Sequence, residues 1–418
     1  MADSVHTLVD HLFRRESARL SASLVRALGV RYFDLAEECV HEALLAALET
    51  WSFNGIPDEP AAWLARVAKN RALDAIRHKR VQVDHATRVQ YELQQRLDAQ
   101  APVSEHEFDD QLLMIFACCH PRLTEDTRIA LTLKTCCGFS VNEIAGALLS
   151  KPATIAQRIV RAKRTLLDEQ IELAIPSESE RAVRLDSVLR TLYLMFNEGY
   201  ASHEGDAHIR RDLLEDAMRL LAMVTSSRSH SSPSAHALLA LMFFQLARVS
   251  ARLDDAGSIL LLEEQDRSKW DRDMINAGFT ELQLAREGAT IPTAYHFEAA
   301  IAATHVSAPT FADTDWRAIC DLYDALMELR DTPIVRLNRA VAIAHAFGPE
   351  EGLRAHANVS KDNRIAQYHL FHAVRGELYR RLGRHEDAIA SFDEAIARTR
   401  STAERQLLQR KRSRCNPT

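Results

Sequence analysis

A chain of 418 residues with 47% hydrophobic and 26% charged side chains is too long for one compact core and too apolar to be disordered. Glycine (13) and proline (12) are scarce, which excludes a collagen-like chain and argues against a turn-rich β protein. Alanine, leucine, arginine and glutamate dominate, so the expected fold class is all-α. The net charge of −6, from 52 basic and 58 acidic side chains, excludes a uniformly basic nucleic-acid binder. Any nucleic-acid site must be a local basic patch. The N-terminus MADSVHTLVD lacks the basic-then-apolar build of a signal peptide, and no run of about eighteen apolar residues stands out as a membrane span. A cytoplasmic location with reduced thiols is expected.

The first predicted unit spans residues 1–80, with breaks at Gly29 and over the turn-rich stretch Trp51 to Pro60. Its helix DLAEECVHEALLAALE lines one face with Ala36, Val40, Ala43, Leu44 and Ala47. Asp34, Glu38 and Glu42 stack at i, i+4 on another face, flanked by Glu37 and His41. Like charges at that spacing cost a few tenths of a kcal/mol per pair, so a helix that keeps them fits a basic partner, or simply a solvated face. The following helix, 61–80, buries Leu64, Val67, Ala68 and Ile76 and presents Asn70, Arg71, Asp74 and Arg77 outward. Basic side chains beside Trp51, Phe53 and Trp63 fit single-stranded nucleic acid. Trp63 is also placed where a core residue would anchor the helix.

Residues 81–107 are polar and weakly periodic and read as a linker. The unit 108–170 follows. Thr124 opens a helix that Gly138 ends. Ser140 and Glu143 form a capping box for a short second helix, and after Ser150-Lys151-Pro152 a third helix runs over 153–168. Its inward face is Ile155, Ile159, Ala162 and Leu166. Outward it carries Thr154, Gln157, Arg158, Arg161 and Arg164, with Lys163 beside them. A short helix, a turn and a basic helix with polar residues at its start is the helix-turn-helix pattern for the DNA major groove. Thr154, Gln157 and Arg158 are placed for base edges, and Arg161, Lys163 and Arg164 for phosphates.

The block 177–418 holds repeated amphipathic helices. In RGELYRRLGRHEDAIASFDEAIART, near 368–400, Gly376, Tyr379, Gly383, Ala388, Phe392 and Ala395 fall at the spacing of a tetratricopeptide repeat, and 335–358 reads as a degenerate second unit. One repeat cannot bury its own face, so neighbouring helices must stack on it.

Enzymatic and metal readings are weaker. Glu38-x-x-His41 lacks the second pair that a di-iron site needs. His203-Glu204-x-x-x-His208 is one residue too long for the zinc-protease motif. Cys118, Cys119, His120, Cys136 and Cys137 bracket one helix in no standard zinc spacing, leaving core packing and thiol redox sensing as readings. Asn197, Glu198, Asp266, Arg267, Asp271 and His296 form a polar set that fits either a small ligand or helix-pairing salt bridges. No catalytic residue, metal or cofactor is expected.

The acidic helix, the AAWL step, the basic helix VAKNRALDAIRHKR, the polar linker and the helix-turn-helix ending RIVRAKRTLL occur in that order over residues 8–168. This ordered set resembles a bacterial RNA polymerase sigma factor of the sigma-70 family, extracytoplasmic-function type. The resemblance implies that 1–80 is sigma region 2. Asp34, Glu37, Glu38, His41 and Glu42 would then bind core RNA polymerase. Asn70, Arg71, Asp74 and Arg77 would read the promoter −10 element, and the loop from Trp51 to Pro60 would capture a flipped base. The unit 108–170 would be region 4, reading the −35 element through Thr154, Gln157, Arg158, Arg161, Lys163 and Arg164. Region 3 is absent, with the linker in its place. The extension 177–418 is similar to one found in a subgroup of these factors. It is expected to regulate in cis, to contact polymerase, or to bind a regulatory peptide or protein. A one-component helix-turn-helix regulator with a ligand-sensing helical domain is the alternative.

Overall fold

The structure, a computed structural model, describes residues 16–80, 106–148, 150–171, 176–201, 207–226, 231–252, 254, 259–288, 291–359, 363–399 and 402–415. Most of the linker 81–107 and the end of the basic tail lie outside them. The described residues are helical with short connections and contain no β-strand, as the composition predicts. The chain divides into two compact units. One comprises residues up to 201 together with 208–224, and the other comprises 202–207 and 225–418.

In the first unit, α1 (16–28) ends at Gly29, whose φ of 92° is the left-handed turn that glycine accepts without strain. A single 3₁₀ turn, Val30–Tyr32, leads into α2 (Phe33–Asn54). This helix runs four residues into the stretch expected to be a turn, because no breaker precedes Gly55, where φ reaches 79°. Helix α3 (Pro60–Arg80) packs back on α2. Leu64, Ala68, Ile76, Val40 and Ala43 are buried, while Val67 and Leu44 are half-buried.

Helices α4 (His106–Cys118), α5 (Glu125–Cys136), α6 (Val141–Ala147) and α7 (Pro152–Asp168) form the helix-turn-helix region. The capping box is present: Glu143 N–H donates to Ser140 Oγ at 3.2 Å, and Ser140 N–H donates to Glu143 Oε2 at 2.7 Å. Thr124 precedes α5 but does not cap it; its hydroxyl donates to Thr127 instead. Gly138, at φ 74°, turns the chain so that Phe139 N–H reaches Leu133 O. Ile155, Ile159, Ala162 and Leu166 of α7 are all buried.

Two further helices belong to this unit, α8 (Glu178–Ala201) and most of α9 (Ala207–Ser226). Helix α8 packs on α4 and α5, burying Val188, Leu189, Leu192, Met195 and Phe196. Buried Arg128 of α5 donates to Ser187 Oγ, and that hydroxyl donates to Cys119 O. Arg190 of α8 pairs with Glu125 at the start of α5. From α9, Arg219 donates to Cys136 O at 3.2 Å. The helices after Pro176 therefore complete the core of the helix-turn-helix region.

The second unit stacks helices in chain order: α10 (Pro233–Leu246), α11 (Arg272–Gly288), α12 (Ala294–Ser307), α13 (Trp316–Leu329), α14 (Pro333–Ala346), α15 (Pro349–Val359), α16 (His369–Arg381), α17 (His385–Arg398) and α18 (Thr402–Ser413). Each packs on its sequence neighbours, the pattern of a helical solenoid. Ala388, Phe392 and Ala395 are fully buried with Tyr379 packed against them. A Cβ at Gly376 would lie 3.0 Å from the Phe392 ring, so this glycine sets how closely α16 and α17 approach. The segment Pro233–Ala251 does pass a length-and-composition test for a membrane span, contrary to expectation, with mean hydropathy 1.3. It is 56% buried, and α10 packs against α11 and α12, which makes it a core helix of this unit.

Candidate nucleic-acid and polymerase interfaces

The recognition helix α7 owes its orientation to its own periodicity. Its four buried residues recur at i, i+4, i+7 and i+11, which fixes the opposite stripe toward solvent. Thr154, Gln157, Arg161 and Arg164 are exposed on that stripe. Pro152 at the first helical position needs no N–H partner and starts the helix cleanly. Three of the six expected −35 contacts, Arg158, Arg164 and Lys163, are already engaged. Arg158 pairs with Asp126 at 2.8 Å, and Arg164 with Asp168 at 3.3 Å.

Lys163 differs from its neighbours. Its side chain is only 16% exposed, and its Nζ lies 2.7 Å from Asp34 and 2.8 Å from Glu37 of α2. The same ammonium lies 4.7 Å from the centre of the Phe33 ring. Burial pulls its pKa down, but Glu37 and Asp34 outweigh burial and hold it above the ordinary lysine value.

On α2, Asp34, Glu38, His41 and Glu42 are exposed and Glu37 is half-buried. Asn70, Arg71 and Asp74 are exposed on α3, where Arg71 sits 3.6 Å from Glu42. The Arg77 side chain lies outside the described residues. Trp63 is half-buried and packs on Trp51, with ring centres 5.5 Å apart, so the two tryptophans brace the α2–α3 corner.

The thiol cluster is a packed one. None of the seven cysteines is in a disulfide, and all are buried. Cys136 Sγ approaches Cys118 Sγ at 3.9 Å, and Cys119 Sγ approaches Thr132 Oγ1 at 3.5 Å. Burial pushes the Cys119 thiol up to about 12 and raises Cys137 as well; the contact with Cys118, then burial, raises Cys136. Metal binding and fast oxidation need the thiolate, and these surroundings disfavour it. Burial also lowers His120 to about 4. No cluster of three or more metal-ligating side chains is found among the described residues. Glu38 and His41 stand exposed on α2, and residues 203–206 of the His203–His208 motif lie outside the described residues.

The polar set in the extension is corrected by the structure. Asn197 lies on α8 of the first unit, and the Glu198 side chain lies outside the described residues. The other four belong to the second unit, where Asp266, Asp271 and His296 are tied to nearby backbone and Arg267 reaches carbonyls at the end of α12. Asp266 Oδ1 accepts from Ser268 N–H at 2.9 Å, and Asp271 Oδ1 accepts from Met274 N–H at 3.0 Å. His296 Nδ1 accepts from Thr293 N–H at 3.0 Å, and Arg267 donates to His305 O at 2.7 Å. Asp266, Asp271 and His296 accept from N–H groups that a helix start leaves open, and Arg267 donates to carbonyls that a helix end leaves open.

Residues 12–81 match Sigma-70 region 2 and residues 113–166 match Sigma-70, region 4. Residues 184–286 match a family of unknown function (DUF6596). An uncharacterized protein of Rhizobium meliloti (strain 1021) is 37% identical over 392 residues, covering 91% of this chain and 90% of that protein. No solved structure matches. With its two matched regions in the expected order on an all-helical frame, the chain belongs to the sigma-70 family, in the two-region extracytoplasmic-function arrangement followed by a helical extension, and so to the DNA-binding factors that serve RNA polymerase in transcription initiation.

Proposed function

We propose that this protein gives core RNA polymerase its promoter specificity, with the extension regulating that activity in cis. The observation that carries the reading is the exposed stripe Thr154, Gln157, Arg161 and Arg164 on a correctly capped helix-turn-helix. In this reading Thr154, Gln157 and Arg158 contact −35 base edges, while Arg161, Lys163 and Arg164 contact phosphates. Asn70, Arg71, Asp74 and Arg77 read the −10 element. Asp34, Glu37, Glu38, His41 and Glu42 grip polymerase, and all of this takes place in the cytoplasm. The regulatory role of the extension is supported by α8 and α9, which lie in the core of the −35-reading region. A shift in those helices would reach the DNA-reading surface directly. In this reading the helices stacked after them are of tetratricopeptide type, a frame suited to a peptide or protein signal.

Run-off transcription with purified core RNA polymerase on a promoter library tests the proposal. Transcripts sharing −35 and −10 elements that appear only with the protein are expected. Their absence, with sequence-specific DNA binding retained, would favour the one-component regulator.

A further inference from the structure

The surface expected to hold polymerase and the helix expected to hold DNA meet in the free protein, and Lys163 joins them. Its ammonium sits between Asp34 and Glu37, at 2.7 and 2.8 Å, and over the Phe33 ring. Three partners that lie some 130 residues earlier in the chain converge on one cation. A second tie joins the same two regions. Arg26 of α1 donates to Asp110 of α4, whose side chain is only 5% exposed. Neither tie is a surface coincidence of neighbouring residues, and both hold the region 2 helices against the region 4 helices.

We propose that Lys163 is the latch of an autoinhibited state, in which region 4 covers the polymerase-binding helix of region 2 until polymerase or promoter displaces it. The inference rests on the sigma reading. For Asp34 and Glu37 to grip a basic polymerase surface, Lys163 must leave them. For Lys163 to reach a DNA phosphate, it must leave the same carboxylates. One opening event frees both surfaces, and each partner's apparent affinity is reduced by the fraction of molecules that are open. A protein with this latch has little tendency to occupy promoters alone. Opening is also favoured by salt, because the latch is ionic and partly exposed.

Distance measurement on the full-length protein tests this. Spin labels on Leu45→Cys in α2 and Leu167→Cys in α7 use two exposed positions, and the seven native cysteines are buried. Electron–electron resonance is expected to give one short, narrow distance in the free protein. Lys163→Glu should broaden and lengthen it, and the charge swap Glu37→Lys with Lys163→Glu should restore it. Binding of core polymerase, measured without DNA, should tighten about fivefold in Lys163→Glu. A distance unchanged by Lys163→Glu would overturn the latch, as would a lengthening that the charge swap does not reverse. The distances need no polymerase, so they fail or succeed independently of transcription. If run-off transcription fails while the latch responds as described, the sigma reading falls and the closed state stands.

Discussion

Gly352 lies so close to Ala344 that a side-chain carbon added at 352 would sit 2.4 Å from the Ala344 methyl and 2.9 Å from its Cα. Alanine in place of a helical glycine normally stabilises by about 0.5–1 kcal/mol. Here the sign reverses, because backbone cannot step aside as a flexible side chain can. Gly352→Ala should lose about 1–3 kcal/mol. Gly146→Ala in α6, where nothing lies within 4 Å, should be neutral or gain. Urea unfolding of the two variants side by side checks both signs.

Within the recognition helix, Arg161 and Gln157 should behave differently. Arg161→Ala should weaken binding to all promoters about equally and reduce the salt slope by about one. Gln157→Ala should cost about 1–3 kcal/mol on the preferred sequence and relax discrimination at one base position. Salt-dependent binding of the polymerase complex to matched and mismatched −35 sequences separates the two.

Three histidines of the second unit make it acid-sensitive. Burial lowers His305, His345 and His356 to about 4. Arg248 and Arg267 add to the effect at His305, and Arg381 adds to it at His345. An unfolded histidine titrates near about 6.5. Above that value both states are neutral and the stability contribution is whole. Between about 6.5 and 4 the unfolded chain binds more protons, so stability falls with pH. Urea midpoints should change little from pH 8 to 7 on this account and drop steadily from 6.5 to 5. His345→Phe keeps a ring stacked on Trp316, now 4.2 Å away, and should make that acid slope shallower, with His296 and His372, also lowered by burial, keeping part of it.

The first unit should depend on residues beyond Pro176. Leu192→Ala removes a fully buried side chain and should destabilise by about 2–5 kcal/mol. A chain ended after residue 176 would lose Ser187, Val188, Leu189 and Leu192 together and leave Arg128 without its hydroxyl partner. It should unfold at lower urea than a chain ended after 226. Equal midpoints would mean that α8 and α9 contribute nothing to this core.

Local signals carried the sequence reading furthest. Ser140 with Glu143, Gly138, and the buried stripe from Ile155 to Leu166 are read within a few residues of each other, and the structure places them as expected. Gly376 against Phe392 follows the same logic one helix pair apart. What escaped was long-range. The helix face of Lys163 points to a phosphate, and nothing local marks the carboxylates over a hundred residues away that hold it in the free protein. Pro176 suggested a boundary, but burial of Leu189 and Leu192 against earlier helices carries the core past it. Asp266, Asp271 and His296 read as salt-bridge partners between helices or as a ligand set, because capping, pairing and binding use the same residue types.

The chain-order stacking of α10 to α18 has a consequence for how this unit comes apart. Each helix leans mainly on the one before and the one after it, so stability is a sum over successive seams. Helix α18 packs on α17, and the chain's end also reaches back to the loop before α11: Arg410 donates to Ile259 O at 2.8 Å, and Arg410 and Arg414 pair with Glu264 at 3.6 and 3.4 Å. That clasp leaves the stack without a loose last seam, so replacing Arg410 and Arg414 by Ala should speed amide exchange both in Thr402–Ser413 and in the loop around Glu264, while leaving Pro333–Ala346 slow. The last helix and the early loop are then buckled to each other, and whatever unfastens one of them frees both.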